Sequence, residues 1–288
     1  MSDDRDKKAL VSAEDILGAS RPATKLLEVI SNATGVLYEP TRIRRKAKAE
    51  RDAQLIAAET RVEITEIERR GLERLVREEG RKQQNVESII EKAIPEINNN
   101  SNPEDVDPDW FMYFVDNAKK ISNEEVQNVW SRILSGEVNS PRSFSKRTLS
   151  TLGNLSQNEA KIFESVCRFF VIGLNHPVIF NDEEIYTKCG LNYIALKSLE
   201  EAGLIEFNSI TGFQANISPD GDGERIVLGY FDTIIILNSV KSLQIGQVRL
   251  AVSGQELQPI VHVASVDGFV SHIVEKWREH GTEIVARK

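Results

Sequence analysis

The chain has 288 residues, a formal net charge of −8, and 40% hydrophobic and 28% charged side chains. That length and apolar content allow two or three modest domains with true cores and exclude a wholly disordered chain. The net acidity weighs against a protein built mainly to hold nucleic acid by electrostatics.

Residues 1–10 are charged and have no apolar signal core, and no run of about 18 apolar residues occurs anywhere. Two cysteines, Cys167 and Cys189, form neither a disulfide framework nor a CxxC metal motif. Both features point to a cytoplasmic protein. Ser12-Ala13-Glu14-Asp15 reads as a helix start. From Pro22 to Tyr38 the apolar residues Leu26, Leu27, Val29, Ile30, Ala33, Val36 and Leu37 recur at intervals of three and four, an amphipathic helix that stops before Pro40.

A basic knot follows: six Arg and Lys residues against one acid between Arg42 and Arg51. It opens a proline-free, charge-rich stretch running to Ile94, which would span roughly 80 Å if wholly helical. Its apolar positions (Ile56, Ile64, Ile67, Leu75, Val86, Ile90, Ala93) make only a thin stripe without a sustained seven-residue repeat, so a long two-stranded coil is not expected. Helices interrupted near Gly71 or Gly80 and bundled in a small oligomer fit the pattern. A single solvated helix held by pairs such as Glu66–Arg70 and Glu73–Arg77 is the alternative.

Residues 98–107 are Asn-, Pro- and Asp-rich, a linker by composition. Asp107 with Pro108 starts a helix carrying Trp110, Phe111 and Phe114. Ser122-Asn123-Glu124-Glu125 reads as a capping box for a helix that ends at Gly136, Ser145 to Leu152 makes another, and Ser156-Gln157-Asn158-Glu159 caps a helix from Ala160 to Ile172. The three tryptophans fall among apolar helical neighbours and read as core. Beyond Pro177, a short helix over 182–189 precedes Leu191–Glu206, which reads as helix, glycine stop, strand, as in a winged helix. Strands are expected over 213–217, over 224–237 with a bend near Gly229, and over 247–252. A last helix spans 266–280, and an edge strand 283–286.

The fold class is therefore α+β and predominantly helical: long N-terminal helices (1–97), a linker (98–107), a central α-helical bundle (108–176) and a C-terminal winged-helix-like α/β region (177–288). No catalytic motif is present, and the four histidines lack a short metal spacing. The acidic tip Asp220-Gly221-Asp222-Gly223-Glu224 lacks a full calcium loop and reads as a turn. The sequence accordingly offers no catalytic, cofactor-binding or metal-ligating residues. Two contact surfaces remain. Leu26, Leu27, Ile30 and Leu37 with Arg42, Arg44, Arg45, Lys46, Lys48 and Arg51 could lie on an anionic membrane, against the plainer reading that the apolar positions pack on a neighbouring helix. Tyr193, Lys197, Glu200 and Glu201 are the candidate partner-contact residues on the second helix of the winged-helix region. One base against two acids there weighs against nucleic acid.

The run Glu124-Glu125-Val126-Gln127-Asn128-Val129-Trp130-Ser131-Arg132-Ile133-Leu134-Ser135-Gly136-Glu137, then Arg147-Thr148-Leu149 and Leu155-Ser156-Gln157-Asn158-Glu159-Ala160, resembles uncharacterised bacterial proteins akin to the abortive-infection alpha group over about residues 20–175. The resemblance implies a bacterial protein tied to phage resistance and transfers no active site. Together these readings lead to the expectation of a non-enzymatic anti-phage factor without cofactor. It would sense a phage protein, assemble as a homo-oligomer and act through its N-terminal helices, becoming membrane-associated on activation. A winged-helix nucleic-acid-binding regulator is the competing expectation.

Overall fold

The structure is a computed structural model that describes residues 21–34, 65–181, 183–217, 225–238 and 242–287. As expected, it is α+β and mainly helical, with small antiparallel sheets confined to the C-terminal part. It divides into two compact units, 1–146 and 147–288.

In the first unit, α1 (Arg21–Thr34) packs on α3 (Pro108–Ala118), and α2 (Glu66–Ala93) packs on α4 (Glu124–Asn139). A capping box starts α2: Thr65 Oγ1 accepts from the Glu68 amide at 3.4 Å while Glu68 Oε2 accepts from the Thr65 amide at 2.8 Å. The helix then runs 28 residues through Gly71 and Gly80 without a break, correcting the expected interruption. Each glycine costs only about 1 kcal/mol in a helix interior, which a 28-residue hydrogen-bond ladder tolerates. Of the two expected charge pairs, Glu66–Arg70 is present at 4.0 Å, but Glu73 pairs with Arg69 and not with Arg77.

Only the C-terminal third of α2 is buried. Val86, Ile89, Ile90 and Ala93 enter the core, and the buried Asn85 amide donates to Lys119 O at 3.0 Å and Ser122 Oγ at 3.2 Å. The Asn-rich residues that follow are not a free linker. The Asn98 amide and Ser101 Oγ both donate to Asn139 Oδ1, at 2.8 and 2.7 Å, and Pro103 and Val106 are buried. Asn139 Nδ2 also donates to Glu96 O at 2.9 Å, so one side chain at the end of α4 satisfies the backbone of this segment, a role composition cannot reveal. Trp110 stacks on Phe114 at 5.2 Å and Phe114 meets Trp130 at 5.3 Å, forming the aromatic core.

Two helix ends differ from expectation. The cap of α4 is Asn123, whose Oδ1 accepts from the Val126 amide at 3.1 Å, and Ser122 is used elsewhere. Gly136 does not stop α4, which continues to Asn139; the glycine instead leaves room for the Phe144 ring, which packs where a side chain at 136 would stand.

The second unit carries α5 (Lys146–Asn154, whose first residue belongs to the unit before), α6 (Gln157–Cys167), β1 (Phe170–Val171), β2 (His176–Pro177), α7 (Glu184–Thr187), α8 (Tyr193–Glu201) and β3 (Ile205–Phe207). It continues with β4 (Phe213–Asn216), β5 (Arg225–Tyr230), β6 (Thr233–Asn238), β7 (Ser242–Gly246), β8 (Val248–Leu250), α9 (Val252–Leu257), α10 (Phe269–Glu279) and β9 (Ile284–Arg287). The Ser156/Glu159 capping box forms as expected, but α6 ends at Cys167 and the chain turns extended at Phe170. Helix α6 packs on α8, β3 pairs antiparallel with β8, and β2 lies beside β8. This helix, strand, helix, helix, strand, strand order is the one expected of a winged-helix-like region, with β4 to β7 standing between β3 and β8 in the chain.

Within this stretch the expected single bent strand over 224–237 is two strands. β5 and β6 form a hairpin that turns at Phe231-Asp232, and β9 adds to β6 at the edge. β7 was not anticipated; it pairs with β4. Gly246 explains how this stretch closes. With φ of +87°, a Cβ there would sit 1.9 Å from the Ile179 carbonyl oxygen, so only glycine lets these two backbones meet. Phe169, Tyr186, Phe269 and Tyr230 interlock at 4.7–5.1 Å, and Trp277 Nε1 donates to Gln244 O at 2.8 Å.

Candidate functional site

Helix α8 is positioned by its own ends. Asn192 Oδ1 accepts from the Ala195 amide at 3.0 Å, capping the first turn. Gly203, with φ of +76°, ends the helix while the Leu204 amide donates to Leu199 O at 3.0 Å. Ala195, Leu196 and Leu199 are buried, which turns Tyr193, Ile194, Lys197 and Glu201 outward. Tyr193 and Ile194 are 54% and 79% exposed at the leading end of the helix. Sequence reasoning named Tyr193, Lys197, Glu200 and Glu201 but missed Ile194. The inward set at 195, 196 and 199 already implied that 194 faces out.

The electrostatics of this surface are closed on themselves. Lys197 pairs with Glu200, whose carboxylate also accepts from the Phe207 amide at 3.0 Å, tying α8 to β3. The Lys197 hydrogen bond holds the Glu200 carboxyl below its ordinary range, and the same contact raises Lys197. On β8, Arg249 pairs with Glu206 and lies 5.2 Å from the Phe213 ring. Tyr193 sets its ring edge-to-face on Phe207 at 5.5 Å. The result is an apolar, aromatic leading end flanked by ion-paired cations.

The first candidate surface is placed differently. Leu26 and Ile30 are fully buried where α1 packs on α3, and Leu27 is partly buried. Membrane contact through them would need α1 to leave α3, so in this arrangement the plainer packing reading accounts for these side chains. Leu37, Arg42, Arg44, Arg45, Lys46, Lys48 and Arg51 lie outside the described residues, as does the acidic tip at 220–224. Along α2, Arg70, Arg74, Arg77 and Arg81 line a shallow cleft with Glu73 and Glu78.

No histidine joins a metal set: among the described residues no three His, Cys, Asp or Glu side chains are grouped to hold an ion. His272 Nε2 lies 2.5 Å from Glu183 Oε2, and Lys276 Nζ lies 3.0 Å from Glu183 Oε1, a clasp between α10 and the start of α7. His176 Nδ1 accepts from the Leu250 amide at 3.3 Å, its pKa lowered first by burial and then by Arg249, as suits a neutral imidazole between β2 and β8. Cys167 is buried, which pushes its thiol pKa far up and disfavours the thiolate. Among the described residues no helix is long and apolar enough to cross a membrane.

No curated protein and no solved structure matches the chain. Residues 69–274, more than two thirds of the length, match the model of a protein family of unknown function, DUF2806. The matched span runs from α2 to α10 and leaves out the apolar-then-basic segment 26–51. The chain belongs to the DUF2806 family.

Proposed function

We propose that this chain is a non-enzymatic contact protein whose winged-helix unit recognises a partner protein through the leading end of α8. One observation carries the reading: Tyr193 and Ile194 are presented to solvent while the nearby cations Lys197 and Arg249 are both ion-paired. A DNA-reading helix of this kind places its leading residues against base edges and needs free donors there. An apolar-aromatic end flanked by spent charges instead resembles the anchor of a protein interface.

The biological setting in this proposal is bacterial defence against phage, with a phage protein as the trigger. It is supported by the likeness of residues 20–175 to the abortive-infection alpha group. The N-terminal segment 26–51 would deliver the effect at an anionic membrane after α1 leaves α3. Without that release, Leu26 and Ile30 are not available to lipid.

The test pairs a plaque assay with DNA binding across a salt series. Wild type should protect against at least one phage of a broad panel, and Tyr193→Asp with Ile194→Asp should abolish protection while leaving the circular dichroism spectrum unchanged. Both side chains are exposed, so these variants should fold. Duplex binding that falls steeply with salt and is lost in Lys197→Glu would overturn the protein-contact reading in favour of a nucleic-acid regulator.

A further inference from the structure

The β5–β6 hairpin is apolar on both faces. Ile226, Leu228 and Tyr230 of β5 and Ile235 and Leu237 of β6 are buried. Alternation sends Arg225, Val227 and Gly229, with their cross-strand partners Asn238, Ile236 and Ile234, to the opposite face. An antiparallel sheet with one side in water carries polar residues on that side. Here Val227 is 52% and Ile234 is 45% exposed.

Ile172 extends the row. It exchanges two backbone hydrogen bonds with Gly229, at 2.9 and 3.0 Å, and its side chain occupies the space over Gly229, 3.4 Å from where a Cβ would stand. Ile172, Gly229 and Ile234 therefore cross three strands in one line, with Val227 beside Ile236 in the next. Ile172 is 60% exposed. At the hairpin turn Phe231 stands at φ of +47°, a conformation that disfavours bulky side chains, with its ring 47% exposed. Strain kept at an exposed aromatic marks a position held for contact.

We propose that this face binds a second copy of the chain, sheet on sheet, about a two-fold axis near the middle of β5. Charge selects this occupant. Arg225 begins the strand and Asp232 sits in the turn that follows Tyr230, with about 17 Å of strand between Arg225 and Tyr230 at the usual rise. Neither makes an ion pair among the described residues. A two-fold axis between them brings Arg225 of each copy to Asp232 of the other, so the strip is its own electrostatic complement. With Ile172, Val227, Phe231 and Ile234 each about half exposed, the apolar patch is on the order of a few hundred Å², the size of the biggest on a typical monomer. It falls short of the roughly 800 Å² per partner of a standard interface, so the dimer is weak and concentration-dependent.

The surface is built from elements other than α8, so its test and that of the proposed function can fail separately. Sedimentation velocity on the full chain up to about 200 µM should show a monomer–dimer equilibrium. Val227→Lys with Ile234→Lys should raise the dissociation constant by at least about tenfold. Arg225→Asp alone and Asp232→Arg alone should each weaken the dimer, and the two together should restore it to within about threefold. That restoration separates a lost contact from a damaged fold. A wild-type chain that stays monomeric throughout overturns the proposal and leaves the face to a different protein. A dimer indifferent to the lysine variants also overturns it and moves self-association elsewhere in the chain.

Discussion

Glu137 is a carboxylate only 2% exposed, one residue after the glycine that was expected to end its helix. Its Oε1 accepts from the Arg142 amide at 2.6 Å and its Oε2 from the Phe144 amide at 2.9 Å. These bonds shape the turn in which Arg142 stands at φ of +73°. They also lay the Phe144 ring over Gly136 and aim the Phe144 carbonyl at Trp110 Nε1, which donates to it at 2.6 Å. Glu137→Gln preserves the shape but turns an NH2 toward one of the two amides. One charge-assisted bond is lost and two donors face each other in a buried site, a cost of about 2–4 kcal/mol. Glu137→Ala strips both amides of their acceptor, a cost of about 3–5 kcal/mol and a large share of the stability of an ordinary domain. Native-state hydrogen exchange at the amides of α3 and α4 reads this unit by itself. A loss under about 0.5 kcal/mol for Glu137→Gln, no more than a surface substitution produces, would refute the reasoning. Gly136→Ala is the companion test. Its Cβ would meet the Phe144 ring at 2.8 Å, so the ring must move, at about 1–3 kcal/mol.

Other substitutions separate glycines of opposite kinds. Gly71→Ala and Gly80→Ala should each stabilise α2 by about 0.5–1 kcal/mol, because nothing stands within 4 Å of the added methyl; lower helicity by circular dichroism would contradict the unbroken helix. Gly246→Ala should prevent the second unit from folding, since its Cβ would fall 1.9 Å from a backbone oxygen at a left-handed φ; a cooperative melt near the wild-type temperature would contradict the close approach. Glu200 carries a pH dependence of known sign. Its folded pKa lies below the ordinary carboxylate value, so its stabilisation is complete above that value and is lost as pH falls through the lower folded one. The Phe207 amide shift should follow that titration by NMR and become flat in Glu200→Gln.

Much of the local architecture was legible from residue order. Asp107-Pro108 and Ser156 to Glu159 announce helix starts because caps act within four residues. The Leu191–Glu206 pattern of apolar spacing, glycine stop and strand carries α8, the turn at Gly203 and β3. Failures cluster where the partner is distant in sequence. Gly136 reads as a stop until Phe144 is seen to need its space. Residues 98–107 read as a linker until Asn139 is seen to hold them. The run 224–237 reads as one strand because both faces are apolar, and nothing local to Phe231-Asp232 signals a turn as Asn-Gly would.

The candidate site divides in the same way. The outward helix positions of α8 followed from periodicity, since burying Ala195, Leu196 and Leu199 leaves the opposite side to solvent. That Lys197 and Arg249 are already neutralised follows only from tertiary contacts with Glu200 and Glu206. The sequence by itself determined the helical content, most helix starts and the charged, largely solvated character of α2, because these depend on interactions within a few residues. Only the tertiary structure decided that Leu26 and Ile30 face α3, that β5 and β6 form a hairpin apolar on both sides, and which cations remain free. Those outcomes depend on which surfaces meet, and residue order encodes that only through the whole packed chain.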